Sequence, residues 1–297
     1  MLEKLYNYGS EIIGGMLMSR KKRSKGLFKW VVTLFALLGI FVGAQSSLSP
    51  NLEQVWSNLI TRVSGTVDGE ASSLITPSED QARSVLTNQV EQQLGDQITW
   101  NGHGAFIINH NQTNLNASVA SAPYAVNRYD SAGRPWQGDA WLNRTTRQYR
   151  NRQQTGNGAT NWRPAGFLQA TNLTGGPSHA YDRGHLLGYA LVGGLSNFDA
   201  SESNPANIAT QTAWANEARA KTSTGQNYYE GLVRQALDRN KQVRYRVTDL
   251  YDGDNIVPSG AHIEAKSSDG SLEFNVFVPN VQNNITVNYA TGAVTKN

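Results

Sequence analysis

The chain has 297 residues, 39% of them hydrophobic, with twelve Tyr and seven Trp, enough to bury one core of catalytic size. It has no cysteine, which excludes thiolate zinc sites, a cysteine nucleophile and disulfide staples, and leaves oxygen and imidazole as metal ligands. The formal net charge of +3 does not mark a basic protein, because residues 1–44 hold seven Lys/Arg against two Asp/Glu and the rest is net −2.

In chain order, a leader with Met16 and Met18 as alternative starts precedes a basic cluster over residues 19–29 and an apolar run over 30–44. This pattern predicts a secretory signal cleaved after Ala44, with a single-span membrane anchor as the rival, and export of the remaining chain in either case. Residues 45–77 are polar and rich in Ser and Thr, a linker composition. The folded domain is expected over 78–297. It opens with a helix over 78–94, with Ser78 as its cap, Gln81 three residues on and Gly95 as its stop. Residues 98–100, Asn101-Gly102 and 105–108 read as strand, turn and strand.

Positive charge is concentrated in the next stretch: residues 45–127 carry two basic and seven acidic side chains, whereas 128–183 carry eight and three. Such a local field suits a polyanionic substrate, and a solvated arginine-rich face is the plainer alternative. Residues 139–152 are expected as a helix bearing Arg144, Arg147, Arg150 and Arg152. The GNGATN string after it lacks the lysine and the strand-helix setting of a phosphate loop. Further on, 208–210 reads as a short strand, 212–221 and 226–239 as helices, 243–251 and 272–278 as strands, and 285–294 as a terminal hairpin. The fold class is α+β, an antiparallel sheet core flanked by helices.

The stretch YDRGHLLGYALVGG, residues 181–194, concentrates the candidate chemistry. His185 titrates in the right range to take a proton from water, Arg183 offers a fork of donors to a phosphate oxygen, Asp182 can orient a neighbour, and Gly184 allows close backbone approach. Downstream, Asn207, Gln211 and Asn216 supply amide oxygens, and an Asn on a helix suits Mg²⁺, which keeps most of its waters. His103, His110 and His262 stand in turn or strand contexts without evident partners.

Together with SNPANIATQTAWANEA and TGQNYYEGLVRQALD, that stretch resembles the DNA/RNA non-specific endonucleases with a DRGH motif, most closely the streptococcal DNA-entry and secreted nucleases. The likeness runs from about residue 78 to the C-terminus. It implies a ββα-metal catalytic motif in which His185 is the general base and Asn216 the direct Mg²⁺ ligand, Mn²⁺ being a possible substitute. It further implies that Glu230 holds the metal's water shell, that Arg152 contacts phosphate, and that Asn207 and Gln211 support metal and phosphate. Arg183 and His179 stand as substrate contacts, His179 with a structural role as its alternative. One departure is Gln153, where some relatives carry lysine. The implied activity is sequence-non-specific hydrolysis of DNA, with RNA as a further substrate, leaving 5′-phosphates; no protein partner is expected. A non-catalytic surface protein that binds extracellular DNA is the rival reading. A hydrolase of another class would need a G-x-S-x-G or H-E-x-x-H motif or a cysteine, and none is present.

Overall fold

The computed structural model describes residues 75–297, apart from 96 and 159. The expected signal or anchor and most of the linker lie outside the described residues. Ser78 begins the helical entry as expected, its side chain accepting from the Gln81 amide, and Gly95 ends it. Two short helices, α1 (Glu79–Arg83) and α2 (Asn88–Leu94), replace the single one, because Thr87 caps a second start by accepting from Val90.

Seven strands among the described residues form one antiparallel sheet. They are β1 (Ile98–Trp100), β2 (Phe106–Ile108), β3 (Tyr124–Tyr129), β4 (Pro135–Leu142), β9 (Val243–Leu250), β10 (Gly260–Ser267) and β11 (Glu273–Pro279). Their order across the sheet is β1-β2-β11-β10-β9-β4-β3. β11 is buried on both faces. Phe274, Val276 and Val278 join the main core, and Phe277 packs with α1, α2 and β2 in a second cluster. The main core forms where Val243, Tyr245 and Val247 of β9 and Ala261, Ile263 and Ala265 of β10 meet a long helix, α6 (Gln226–Asp238). Residues 285–294 open the expected terminal hairpin, whose strands are β12 (Ile285–Val287) and β13 (Val294–Lys296).

The helix expected over 139–152 does not form. Residues 135–142 are β4, paired with β3 and β9, and the chain then passes through a 3₁₀ turn (Arg144–Thr146) to a four-residue helix, α3 (Arg152–Thr155). The cause is a period-2 partition that shows only once β9 is in place. Ala140 and Leu142 enter the core, while Asp139 turns to the other face, where Arg244 and Arg246 bind its carboxylate. Burial pushes the Asp139 carboxyl up, but the two guanidinium groups outweigh it and hold it below the usual carboxylate range. Gly138 has a role of its own in that strand, since a Cβ there would stand 2.6 Å from Leu187. The sheet thus packs directly under the turn after the DRGH sequence, which leads into a short buried helix, α4 (Tyr189–Val192).

Candidate active site

β5 (Tyr181–His185) and β6 (Ile208–Thr212) pair antiparallel as a separate ribbon, with His185 opposite Ile208 and Asp182 opposite Gln211. β6 runs straight into α5 (Ala213–Glu217), because Thr212 caps that helix by accepting from the Ala215 amide. Two side chains beyond β11 fix this start: Asn280 accepts from the Thr212 amide and Gln282 from the Trp214 amide. Trp214 is fully buried and donates its indole N–H to Ser223, so α5, though short, is pinned on more than one side. The expected helix over 212–221 stops at Glu217, and residues 219–224 instead form the small ribbon of β7 (Arg219–Ala220) and β8 (Ser223–Thr224). The result is a strand-strand-helix unit with His185 at the end of the first strand and Asn216 on the helix.

His185 Nε2 lies 3.0 Å from Glu230 Oε1, and Glu230 Oε2 accepts from Arg234 at 3.2 Å. Glu230 is 4% exposed. Burial alone would raise its carboxyl, but the charge and hydrogen bond of His185, then Arg234 and Gln226, hold it below the ordinary value. The three residues Gln226, Glu230 and Arg234 recur at every fourth position of α6 and so share one face of the helix. Gly188 lets the backbone pass this carboxylate, since a Cβ there would stand 2.7 Å from both of its oxygens. Sequence reasoning named Glu230 but missed Gln226 and Arg234, whose spacing was the available signal. It also assigned Glu230 to the water shell of a metal. Its two carboxylate oxygens lie against His185 and Arg234, so it also stands as the partner of the histidine.

Asn216 donates its amide N–H to Asp182 Oδ2 at 2.9 Å, which directs its Oδ1 away from that carboxylate. Asp182 Oδ1 in turn lies 2.9 Å from His179 Nε2, and Glu217 Oε1 is 3.9 Å from the same nitrogen. The hydrogen bond to Asp182 raises the His179 ring above its ordinary value. Burial, reinforced by the Asp182 charge, raises the Glu217 carboxyl. The ligating atoms of His179, Asp182 and Glu217 lie within 4.8 Å of one another beside Asn216. These oxygen and imidazole donors fit a hard divalent cation. Sequence reasoning named Asn216 as the direct ligand and did not name Glu217.

Residues 102–295 match the family model of the DNA/RNA non-specific endonucleases. The chain belongs to that family. Its fold is similar to that of NucA from Streptococcus agalactiae with magnesium ion bound, at 45% identity and TM-score 0.68, covering 74% of this chain and 98% of that one. NucA with no metal bound matches at 46% identity and TM-score 0.65, covering 76% and 100%. The chain is therefore a metal-dependent non-specific endonuclease, and its fold is of the ββα-metal nuclease type.

The remaining expected site residues of this endonuclease divide by where their polar atoms go. Arg152 lies over the Tyr189 ring, donates to the Ala200 carbonyl at 2.6 Å and pairs with Glu202 at 3.4 Å. Burial lowers its pKa, and the charges of Glu202, Tyr189 and Glu230 act against that. Arg183, expected as a phosphate contact, donates Nε to the Trp162 carbonyl and Nη2 to the Thr160 carbonyl, so it also holds the 160–162 segment. Asn207, expected near metal and phosphate, is 1% exposed. It bonds the amide and carbonyl of Leu187 and accepts from Asn127, so it clamps the turn that follows His185. Gln211, expected beside it, is 7% exposed and donates inward to Gln226 Oε1 at 3.0 Å. Its amide crosses the face of Gly184, where a Cβ would meet it at 2.4 Å. The glycine of the DRGH sequence therefore makes room for a side chain of the protein itself. His262, read as lacking a partner, lies 2.6 Å from Asn275 Oδ1.

Proposed function

We propose that this endonuclease is exported and hydrolyses DNA, and RNA as a further substrate, in a Mg²⁺-dependent reaction that leaves 5′-phosphate and 3′-hydroxyl ends. The observation that carries the reading is the pairing of His185 with the buried Glu230 of α6 at 3.0 Å, the histidine standing in the same strand-strand-helix unit as Asn216. With the His185 Nε2 proton directed at Glu230, the lone pair sits on Nδ1. That atom takes a proton from the water that attacks phosphorus, the P–O3′ bond breaks on the far side, and the departing 3′ oxygen takes a proton from solvent. Glu230 is ionised and stabilises the imidazolium that forms, while Arg234 keeps Glu230 in place.

Asn216 Oδ1 would hold the cation, flanked by Asp182, Glu217 and His179, and NucA with magnesium ion bound supports Mg²⁺ as its identity. When bound, such an ion neutralises negative charge that builds on the phosphate oxygens. Arg152 would take a phosphate oxygen once substrate displaces Glu202 from it. Groups confined to phosphate and metal carry no base information, which supports weak sequence preference. The basic cluster and apolar run within residues 1–44 support export.

The test is cleavage of supercoiled plasmid and of RNA by the full chain with Mg²⁺ and with EDTA, followed by end-group analysis. Mg²⁺-dependent cutting with 5′-phosphate ends, lost in His185→Ala while DNA is still retained, supports the reading. Binding without cutting under any divalent metal sinks it and leaves a DNA-binding surface protein.

A further inference from the structure

Directly behind the β5–β6 ribbon lies a cavity of about 10 Å³, lined among others by Gly184, His185, Gln211, Gln226, Asp249 and Asn280. That is the space one water molecule requires. Most polar groups around it are already satisfied by protein. Asn280 donates to the carbonyls of Thr210 and Pro258 and accepts from the Thr212 amide. Gln226 accepts from Gln211 and donates to the His185 carbonyl and to Glu230. Two groups are left over. Gln211 Oε1 is buried and has no partner among the described residues. The Asp249 carboxyl, on a residue 7% exposed, receives no hydrogen bond from any described residue. A buried acceptor left unpaired beside a water-sized space is costly unless something joins it, and Asp249 lines the same space.

We propose that this cavity holds one structural water bridging Asp249 and Gln211, and that Asp249 is thereby a positioning residue for the His185–Glu230 pair. The polar string is continuous. The water donates to Gln211 Oε1, which keeps Gln211 Nε2 on Gln226, and Gln226 in turn holds both the His185 carbonyl and Glu230 Oε1. Asp249 closes the far end of the string by donating its O–H to the water. The acid is in the required form at neutral pH, because burial pushes its carboxyl up to about 8.

The ionisable groups around Asp249 do not alter this. Tyr251 lies on its own chain segment, His185 lies across the cavity, and Asp130 and Arg134 lie on the outer side, where Arg134 is bound to Asp130. Asp249 also lines the surface groove formed with Asp130, Arg134 and Tyr251.

The inference rests on the nuclease reading for its kinetic consequence but not for its thermodynamic one, so two measurements on the full chain separate them. The first compares the thermal midpoint of wild type and Asp249→Asn between pH 5 and 9. An acid whose folded value lies above its unfolded value stabilises the fold at low pH and loses that contribution as pH rises towards the folded value. The wild-type midpoint, taken relative to the variant, is therefore expected to fall from pH 5 to 8 and to level off above. The second follows kcat for plasmid cleavage against pH. Wild type is expected to lose kcat as pH rises through about 8 and Asp249→Asn to keep it, because its amide N–H is a permanent donor. Asp249→Leu, which cannot hold the water, is expected to lose kcat about ten-fold with KM little changed, the scale typical of a partner one step behind a catalytic group. Parallel pH curves for the midpoints of wild type and Asp249→Asn would overturn the proposal whether or not the chain cuts DNA. So would an alkaline limb retained in Asp249→Asn, or full kcat in a folded Asp249→Leu. If wild type cuts nothing while the midpoints diverge as described, Asp249 is an acid that folds protonated and the nuclease reading fails.

Discussion

Replacing Gly184 by alanine tests the internal logic of the site more sharply than removing any catalytic group. The added Cβ would lie 2.4 Å from both Cβ and Oε1 of Gln211 and 3.1 Å from its Cδ. Carbon atoms pack at roughly 3.5–4.0 Å, so about 1 Å or more must be found. Gln211 has little room to yield: it is only 7% exposed, its amide is tied to Gln226, and its backbone is locked in the ribbon opposite Asp182. Overpacking of this kind typically costs roughly 1–3 kcal/mol, and about 2 kcal/mol is expected here. Gln211→Gly removes both clashing atoms. In denaturant unfolding of the four members of a double-mutant cycle, Gly184→Ala with Gln211→Gly should therefore cost less than the sum of the two single changes, by about 1 kcal/mol or more. Strictly additive costs, or a Gly184→Ala protein as stable and active as wild type, would refute the claim that this glycine accommodates Gln211.

Other expectations rest on the same geometry. His185→Ala should lower kcat by roughly 100- to 10,000-fold in plasmid cleavage while gel-shift retention of DNA and the unfolding midpoint stay close to wild type. Glu230→Gln should cost roughly 1–3 kcal/mol at neutral pH by removing the buried carboxylate that the partly exposed His185 and Arg234 pair with. Because the folded Glu230 carboxyl lies below the ordinary 4.5, that difference is full above about pH 4.5 and should shrink in urea titrations as pH falls through the folded value. Asn216→Ala should raise the Mg²⁺ concentration needed for half-maximal cleavage while changing stability by about 1 kcal/mol or less, since the side chain is only partly buried and makes one hydrogen bond to Asp182. An unchanged metal requirement would remove Asn216 from the cation site.

α6 was legible in the sequence because its apolar residues Tyr229, Val233, Ala236 and Leu237 keep one face against the sheet, and the structure bears it out to within a residue. β9 and β11 were legible for the same kind of reason: their side chains alternate or are uniformly apolar whatever lies beside them. β10, β3 and β4 were not identified. In β4, arginine-rich flanks favour a helical reading, and the alternation that opposes it depends on Arg244 and Arg246, about a hundred residues away, receiving Asp139.

The site divides along the same line. His185 and Asn216 could be named as candidates from their own residue types and from the motif around them, since an imidazole and a lone amide on a helix carry their chemistry locally. What each neighbour does was decided only when the chain folded. Asn207 and Gln211 display the same amide in sequence as Asn216, yet the ribbon turns both inward to brace the turn after His185 and to cross Gly184. Glu230 stands 45 positions after His185, a separation at which sequence spacing carries no geometry, and only the packing of α6 under the ribbon makes the two one buried pair. Local chemistry and periodic burial are properties of the sequence. The partner of a buried polar atom is a property of the tertiary structure, because burial is what removes water as the alternative partner.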